Sequence, residues 1–509
     1  MPQPRRSRRR RADSANPAET QPPPFGFDGG RFRPLSAEQE HAVHETAAKL
    51  LATLGLSQAP RSMIDRVCAH GGQLGDDGRL RFPRALVEDA VARARRDVVL
   101  HARRPGLDLD LSGKSVHFST GGAAPSLLDG DSLYRDPTVL DLHNAARVVD
   151  ALDHIHHFSR PLVARDTADP RSLDINTAVA SLSGTAKHVS MSVSEPAHVA
   201  DIAALCYAIA GGEHAFRARP FLTIMVCHVV PPMRFATEAC ETLEAAVRAG
   251  FPVQLISAGQ AGATSPASIA GSLVQAVAET LAGLVFVQLI DPDVRAIFAP
   301  KPLVADLRTG AMCGGGGEQA ILMAGAAQMG RYYDLPTSSI AGITDAKLPD
   351  AQHGYEKSLA VTLAAQAGAN LVTQACGMQA SLLGVSLESY VIDNDMLGAI
   401  MRTVRGVEVS EDNLAADVIR QVSLGEGHYL GATDTLQRMK ADYTYPDLAD
   451  RQPPADWEAD GGLDIYVRAK ARVAEILQAP PRSLLPAEVE AAVRAEHEIL
   501  LPATAEPVA

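Results

Sequence analysis

The sequence predicts an α/β fold: a (β/α)8 TIM barrel with an N-terminal α/β cap and a C-terminal helical extension. Two observations lead there. Eight short apolar segments alternate with Ala-rich helical segments from about residue 116 onward, the pattern of parallel strands joined by crossover helices. Eight is also the number of strands that closes a barrel. The rival is a doubly wound open sheet, which usually carries a glycine fingerprint after its first strand, and none is present here.

The elements follow in order. Residues 1–30 are rich in Arg, Pro, Gly and Ala and read as a disordered tail. Residues 31–115 form the cap. Ser36 with Gln39 three places later is a capping box that opens an amphipathic helix, which Gly55 stops. A second helix lies near Met63–His70, a turn and short strand over Gly75–Phe82, and a third helix over Pro83–Arg95. Residues 116–410 make the barrel. Its expected strands are Val116–Ser119, His156–Ala164, His188–Val193, Phe221–Val229, Val253–Ser257, Ala296–Phe298, Thr337–Ile343 and Leu371–Ala375. The expected helices include Val139–Leu152, His198–Ile209, Phe235–Ala249, Ser268–Gly283, Glu318–Tyr333 and Ala351–Ala367. Residues 411–509 are acidic and helical, with Pro446, Pro453 and Pro454 marking a loop.

Charge and cysteine content narrow the function. The chain has 47 Lys and Arg against 60 Asp and Glu, a net charge of -13. Six Arg fall within residues 5–11, so the remainder is more acidic still. An acidic body is poorly suited to tracking phosphate backbones, which argues against nucleic acid as a partner. The Arg run is followed by Pro22, Pro23 and Pro24 instead of an apolar core, so it does not read as a signal peptide. No run demands a bilayer; Leu281–Ile290 reads as the end of an Ala-rich helix running into a buried stretch. Six cysteines without a close pair point to a reduced, cytoplasmic setting.

In a barrel, chemistry sits at the C-terminal ends of the strands and in the loops after them. The densest polar cluster is Thr344–Lys357, with three carboxylates, a His, a Tyr and two Lys in 14 residues. Asp350 can cap the helix there, and His353 and Glu356 share one helical face. Histidine is the side-chain type whose ordinary pKa lies near neutrality, so His353 is the candidate for orienting or acid/base work, with Asp345 and Glu356 beside it. The plain alternative is a capping loop with solvated charges.

Two glycine-rich loops follow strands. Ser257–Ser265 offers Gln260 as a polar contact, and Gly310–Glu318 offers backbone amides, with Gly316 and Glu318 at a helix start, for an anion such as a substrate carboxylate. A turn or a hinge is the competing reading of each. His154, His156 and His157 invite a metal, but no third ligand is suitably spaced, and none is expected. Cys227 and Cys313 read as buried thiols. Phe118, Phe158, Phe221, Phe298, Tyr355 and Tyr390 sit near strand ends or loops; most read as core, with one or two open to a cation–π contact.

The segments Ser257–Thr264, Gly317–Ala320, Thr344–Gln352 with Tyr355–Lys357, Ser386–Ser389 and Asp393–Leu397 together resemble the trimethylamine methyltransferase family. The resemblance runs from about residue 32 to residue 480. It implies a (β/α)8 barrel that moves a methyl group from a methylated amine to the cobalt(I) of a separate corrinoid protein, with no tightly bound cofactor of its own. The archaeal trimethylamine enzymes carry pyrrolysine, whereas this chain uses the ordinary twenty residues. It therefore is similar to the pyrrolysine-lacking branch, whose characterised members resemble glycine betaine:corrinoid methyltransferases.

On this resemblance the expected partners are a corrinoid protein and a small methylated amine, without membrane, in a homo-oligomer. The expected catalytic positions are His353, Asp345 and Glu356. The expected substrate contacts are Gln260, Phe298, Gln352, Tyr355, Gly316 and Glu318. His353 is expected to orient or to tune substrate choice more than to act as a base. Two other functions compete: a barrel enzyme using His353 with a carboxylate on a small acid or amine, and a non-catalytic quaternary-amine-binding protein.

Overall fold

The computed structural model describes residues 27–130, 132–480 and 483–502. Most of the expected N-terminal tail, residues 1–26, lies outside the described residues. Residues 27–30 are built into the fold: the Gly29 amide donates to the Lys114 carbonyl at 3.0 Å and Phe27 packs on the core.

Eight parallel strands close on themselves. They are β1 (His117–Phe118), β2 (Phe158–Ser159), β3 (Val189–Met191), β4 (Leu222–Cys227), β5 (Val253–Ser257), β6 (Ala296–Pro300), β7 (Ser338–Ile340) and β8 (Leu371–Thr373). Ladders join β2 through β6 and join β7 to β8 to β1. Two bridges complete the ring, Ser119 with His157 and Phe298 with Thr337. The barrel, and not the open sheet, is the fold.

Each strand is followed by a helix: α1 (Val139–Asp150), α2 (Pro170–Gly184), α3 (His198–Ala210), α4 (Thr237–Arg248), α5 (Ile269–Ile290), α6 (Gly317–Tyr332), α7 (Ala351–Gln366) and α8 (Leu387–Arg405). Their starts follow local chemistry. Thr138 and Asp141 form a capping box on α1, Asp169 caps α2, Asp350 caps α7 and Ser386 caps α8. Helix α2 is absent from the sequence expectation, because its Ser- and Ala-rich, almost wholly buried surface has no apolar period to detect.

Helix α5 runs to Ile290, seven residues beyond the expected end, and is long and apolar enough to cross a membrane. It is instead sandwiched. The barrel covers one side, and the cap helices Ala37–Thr53, Arg61–Ala69 and Arg84–Arg93 cover the other. A helix buried on both sides needs no polar face.

The expected capping box at Ser36 and Gln39 is present on the first cap helix. A hairpin at the end of the cap, Val99–Leu100 paired with Leu109–Asp110, plugs the bottom of the barrel. Its Val98, Leu100, Leu109 and Leu111 pack against the inward-facing Ile297 and Leu371. At the other end, the loops after β8 and β1 form a small sheet of Met378–Gln379, Gly384–Ser386, Ser126–Leu128 and Tyr134–Arg135.

Beyond α8 the packing thins. No residue from Arg405 to Arg468 is fully buried, although Ala469 and Val473 on the later helix Ile465–Gln478 seat it against α8 and α1.

Candidate active site at the barrel mouth

Strand residues alternate between the lumen and the surrounding helices. The plug fixes which set is inside, since Ile297 and Leu371 meet it. Above this floor the lumen is polar. His157 Nε2 lies 2.8 Å from Ser190 Oγ, His188 Nε2 lies 2.8 Å from Thr223 Oγ1, and Ser119 Oγ lies 2.5 Å from His157 Nδ1. Burial holds both imidazoles far below their ordinary pKa, His188 at about 3, so they are neutral.

Next come Gln254, Thr373 and Lys301. The Lys301 ammonium donates to Gln254 Oε1 at 3.2 Å and to Thr373 Oγ1 at 2.9 Å. Burial pulls its pKa down to about 8. Sequence reasoning missed this lysine. The available signal was a basic residue directly after an apolar strand, in Ala296–Lys301. Cys227, expected as a buried thiol, faces the same space and reaches solvent. Together with Met225, Ser192 and the start of α4 it lines a cavity of about 490 Å³ at the ends of β3 and β4.

The expected polar cluster after β7 does come together, but as a latch. Asp345 accepts the Gly314 amide at 2.7 Å, the Gly315 amide at 3.2 Å, the Cys313 thiol at 3.3 Å, and the Ser381 hydroxyl. Burial alone would raise its pKa; the Ser381, Gly314, Cys313 and Gly315 donors outweigh it and hold the carboxyl below the usual range. The glycine loop thus binds an anion, and the anion is the protein's own. Glu356 accepts Thr344 Oγ1 at 2.6 Å, the Asp345 amide at 2.8 Å and Gln352 Nε2 at 2.8 Å. A Cβ on Gly315 would lie 2.1 Å from the Glu356 carboxyl carbon, and one on Gly314 the same distance from Ile343. Glycine is required at both because the loops lie in direct contact.

His353 lies elsewhere. It is buried between α7 and α8, with Nε2 2.8 Å from Asp393 Oδ1 and Nδ1 2.7 Å from the Gln379 amide nitrogen. Lys357 Nζ donates to the other Asp393 oxygen at 2.7 Å, and the Gly377 amide donates to that oxygen at 2.8 Å. This network ties the two helices to the loop after β8. Asp393 was part of a recognised segment but not a candidate residue.

The remaining candidates divide. Gln260 lies in the short strand Gln260–Ala261 beside Leu303–Val304, its carbonyl accepting from Ala263, Thr264 and Ser265. Behind it Ser257 Oγ donates to the buried Glu279 at 2.5 Å. Phe298 does not face the lumen. Its strand neighbour Ile297 does, so Phe298 turns outward against Tyr333, with ring centroids 5.6 Å apart. Tyr355 is 63% exposed on α7, with no ring partner among the described residues. Gly316 is the residue before α6, and Glu318 is exposed in its first turn. Of the two neighbours His156 and His157, His157 enters the lumen; His156 Nδ1 instead accepts the Phe118 amide at 3.0 Å.

A closed barrel with a polar lumen and a latched set of loops at its C-terminal end defines a (β/α)8-barrel enzyme. The family model "Trimethylamine methyltransferase (MTTB)" matches residues 3–497, and this chain belongs to that family of methyltransferases. It is 30% identical to a trimethylamine methyltransferase of Desulfitobacterium hafniense over 92% of this chain and 93% of the relative. It is 28% identical to a glycine betaine methyltransferase of the same species over 91% and 96%. A trimethylamine methyltransferase of Methanosarcina mazei is 32% identical over 89% and 93%. Among solved structures, the Methanosarcina barkeri monomethylamine methyltransferase is similar with 13% identity and a TM-score of 0.45, over 86% of this chain and 98% of that one.

Proposed function

We propose that this enzyme transfers a methyl group from a quaternary amine of the glycine betaine kind to the cobalt of a partner corrinoid protein. The observation that carries the reading is the near full-length family match of a chain whose active end contains only ordinary amino acids. A quaternary nitrogen leaves as a neutral tertiary amine, so the C–N bond can break without prior activation, its electron pair staying on nitrogen. A neutral trimethylamine lacks that leaving group.

The partner's cobalt(I) supplies the electron pair that forms the new bond to the methyl carbon. The chain's own residues then need to position and desolvate, not to move a proton. Asp345 and Glu356 are positioning residues on this reading. Their carboxylates are filled by protein donors, so they shape the mouth without touching substrate. His353 holds α7 to α8 through Asp393. The partner docks over the mouth, because the cobalt must reach bonding distance of the methyl group, and the reaction needs a reducing compartment such as the cytoplasm.

The test is optical. The purified chain is mixed with reduced cobalamin and with glycine betaine, proline betaine, carnitine, choline or trimethylamine, and the cobalt(I) band is followed. Loss of that band with a quaternary amine, and not with trimethylamine, is expected. Turnover of trimethylamine alone overturns the choice of substrate, and saturable amine binding without any transfer, even with the cognate corrinoid protein, overturns the reaction.

A further inference from the structure

Lys301 continues the inward phase of Ile297 just past the end of β6, and among the described residues no carboxylate pairs with it. It is 3% exposed. Its two partners, Gln254 and Thr373, are neutral, which leaves one of the three ammonium donors unfilled. Gln254 Nε2 and Ser338 Oγ, both buried on inward positions of neighbouring strands, also have no partner. The other two buried lysines among the described residues, Lys187 and Lys357, are treated differently. Lys187 is fully wrapped by the carbonyls of Val149, Leu152 and Ile155, and Lys357 is paired with Asp393. A buried charge without a counter-charge is costly, and a site that keeps one is built for a ligand's anion.

The obvious anion cradle of this chain is already taken. The glycine-loop amides that sequence reasoning offered to a substrate carboxylate hold Asp345 instead. We propose that Lys301, with Gln254 Nε2, seats a carboxylate of the substrate, so that the enzyme selects zwitterionic betaines over quaternary amines that lack a carboxylate. The name of the substrate rests on the methyltransferase reading above; the anion seat does not. The carboxylate points down the lumen, and the methylated nitrogen points up toward the cavity over Met225 and Cys227, the side from which the corrinoid partner approaches. The other titratable groups facing Lys301 are Cys227 and His157. Burial pushes the imidazole down, and the protein packed around the solvent-reaching thiol desolvates it and pushes it up, so neither supplies a competing charge.

The experiment is calorimetric titration of the full-length enzyme and of Lys301→Met with glycine betaine, choline and N,N-dimethylglycine, alongside cobalt(I) methylation. The wild type is expected to bind glycine betaine about 100-fold more tightly than choline, and Lys301→Met to lose most of that ratio by weakening glycine betaine alone. The loss falls on KM with kcat changed little, and Lys301→Arg recovers part of the affinity. Rising pH through about 8 weakens glycine betaine and not choline in the wild type, a readout that needs no variant to fold. A Lys301→Met protein that folds and keeps the betaine-to-choline ratio overturns the proposal, as does a wild-type affinity flat across that pH range. Lys301-dependent binding of glycine betaine without methyl transfer from it to cobalt upholds the anion seat while removing the methyltransferase reading.

Discussion

The carboxylate of Asp345 lies 2.7 Å from the amide nitrogen of Gly314, joining the loop after β7 to the loop after β6. Charge-assisted hydrogen bonds of this kind each contribute about 1.5–3 kcal/mol. Asp345→Asn keeps the size and removes the charge. It is expected to lower stability by about 1–3 kcal/mol and to reduce methyl transfer at least about tenfold through a loosened mouth. Urea unfolding and the cobalt(I) assay measure the two effects. Because the folded carboxyl titrates below its unfolded value, the contribution is present above about pH 4 and lost as pH falls through the folded pKa.

Neighbouring glycines in one loop should behave oppositely. A methyl group on Gly315 would meet the Glu356 carboxylate, whereas one on Gly317 would meet nothing within 4 Å. Gly315→Ala is expected to cost about 1–3 kcal/mol and most of the activity. Gly317→Ala is expected to leave both unchanged or to stabilise by about 0.5 kcal/mol. Thermal melts of the pair decide it.

Asp393 is buried between His353 and Lys357. Burial would raise its pKa, but Lys357 and His353 prevail and hold it at about 2. Asp393→Ala leaves the Lys357 ammonium buried and unpaired, with an expected loss of about 3–5 kcal/mol. The native pair stabilises the fold above about pH 4 and ceases to do so as pH falls toward 2. A wild-type stability profile sloping across that window, beside a flatter one for the variant, checks the sign.

Lys301 carries the opposite sign. Its folded pKa, about 8, lies below that of an unfolded lysine near 10.4, so the unfolded chain binds more protons between those values. Burying the charge costs on the order of 3 kcal/mol below pH 8, and the cost fades as pH rises toward 10. Lys301→Met is therefore expected to be more stable than the wild type at pH 7 without ligand, with the two converging near pH 10. Denaturant titrations at both pH values test this.

The barrel was legible because its strands are apolar runs bounded by glycine and polar loops: seven fall within the expected segments, and β6 runs two residues past its expected end at Phe298. Helix α2 was not, since Ser, Thr, Asn and Ala fill its buried face. In the loop after β7, sequence density marked Asp345 and Glu356 but could not show that their carboxylates are turned toward backbone amides. Phe298 was misplaced for a simple reason: inside and outside alternate along a strand, and only the plug under Ile297 fixes the phase. Lys301 escaped notice because it stands alone in sequence. Its partners Gln254 and Thr373 lie 47 and 72 residues away.

The most direct measurement follows the methyl carbon itself. Glycine betaine labelled with carbon-13 in its methyl groups is incubated with the enzyme and the reduced corrinoid protein, and the products are resolved by NMR. One labelled methyl on the corrinoid for each N,N-dimethylglycine released is the predicted result. Intact glycine betaine alongside an active corrinoid partner, or N,N-dimethylglycine released with no label on the corrinoid, would contradict the assignment.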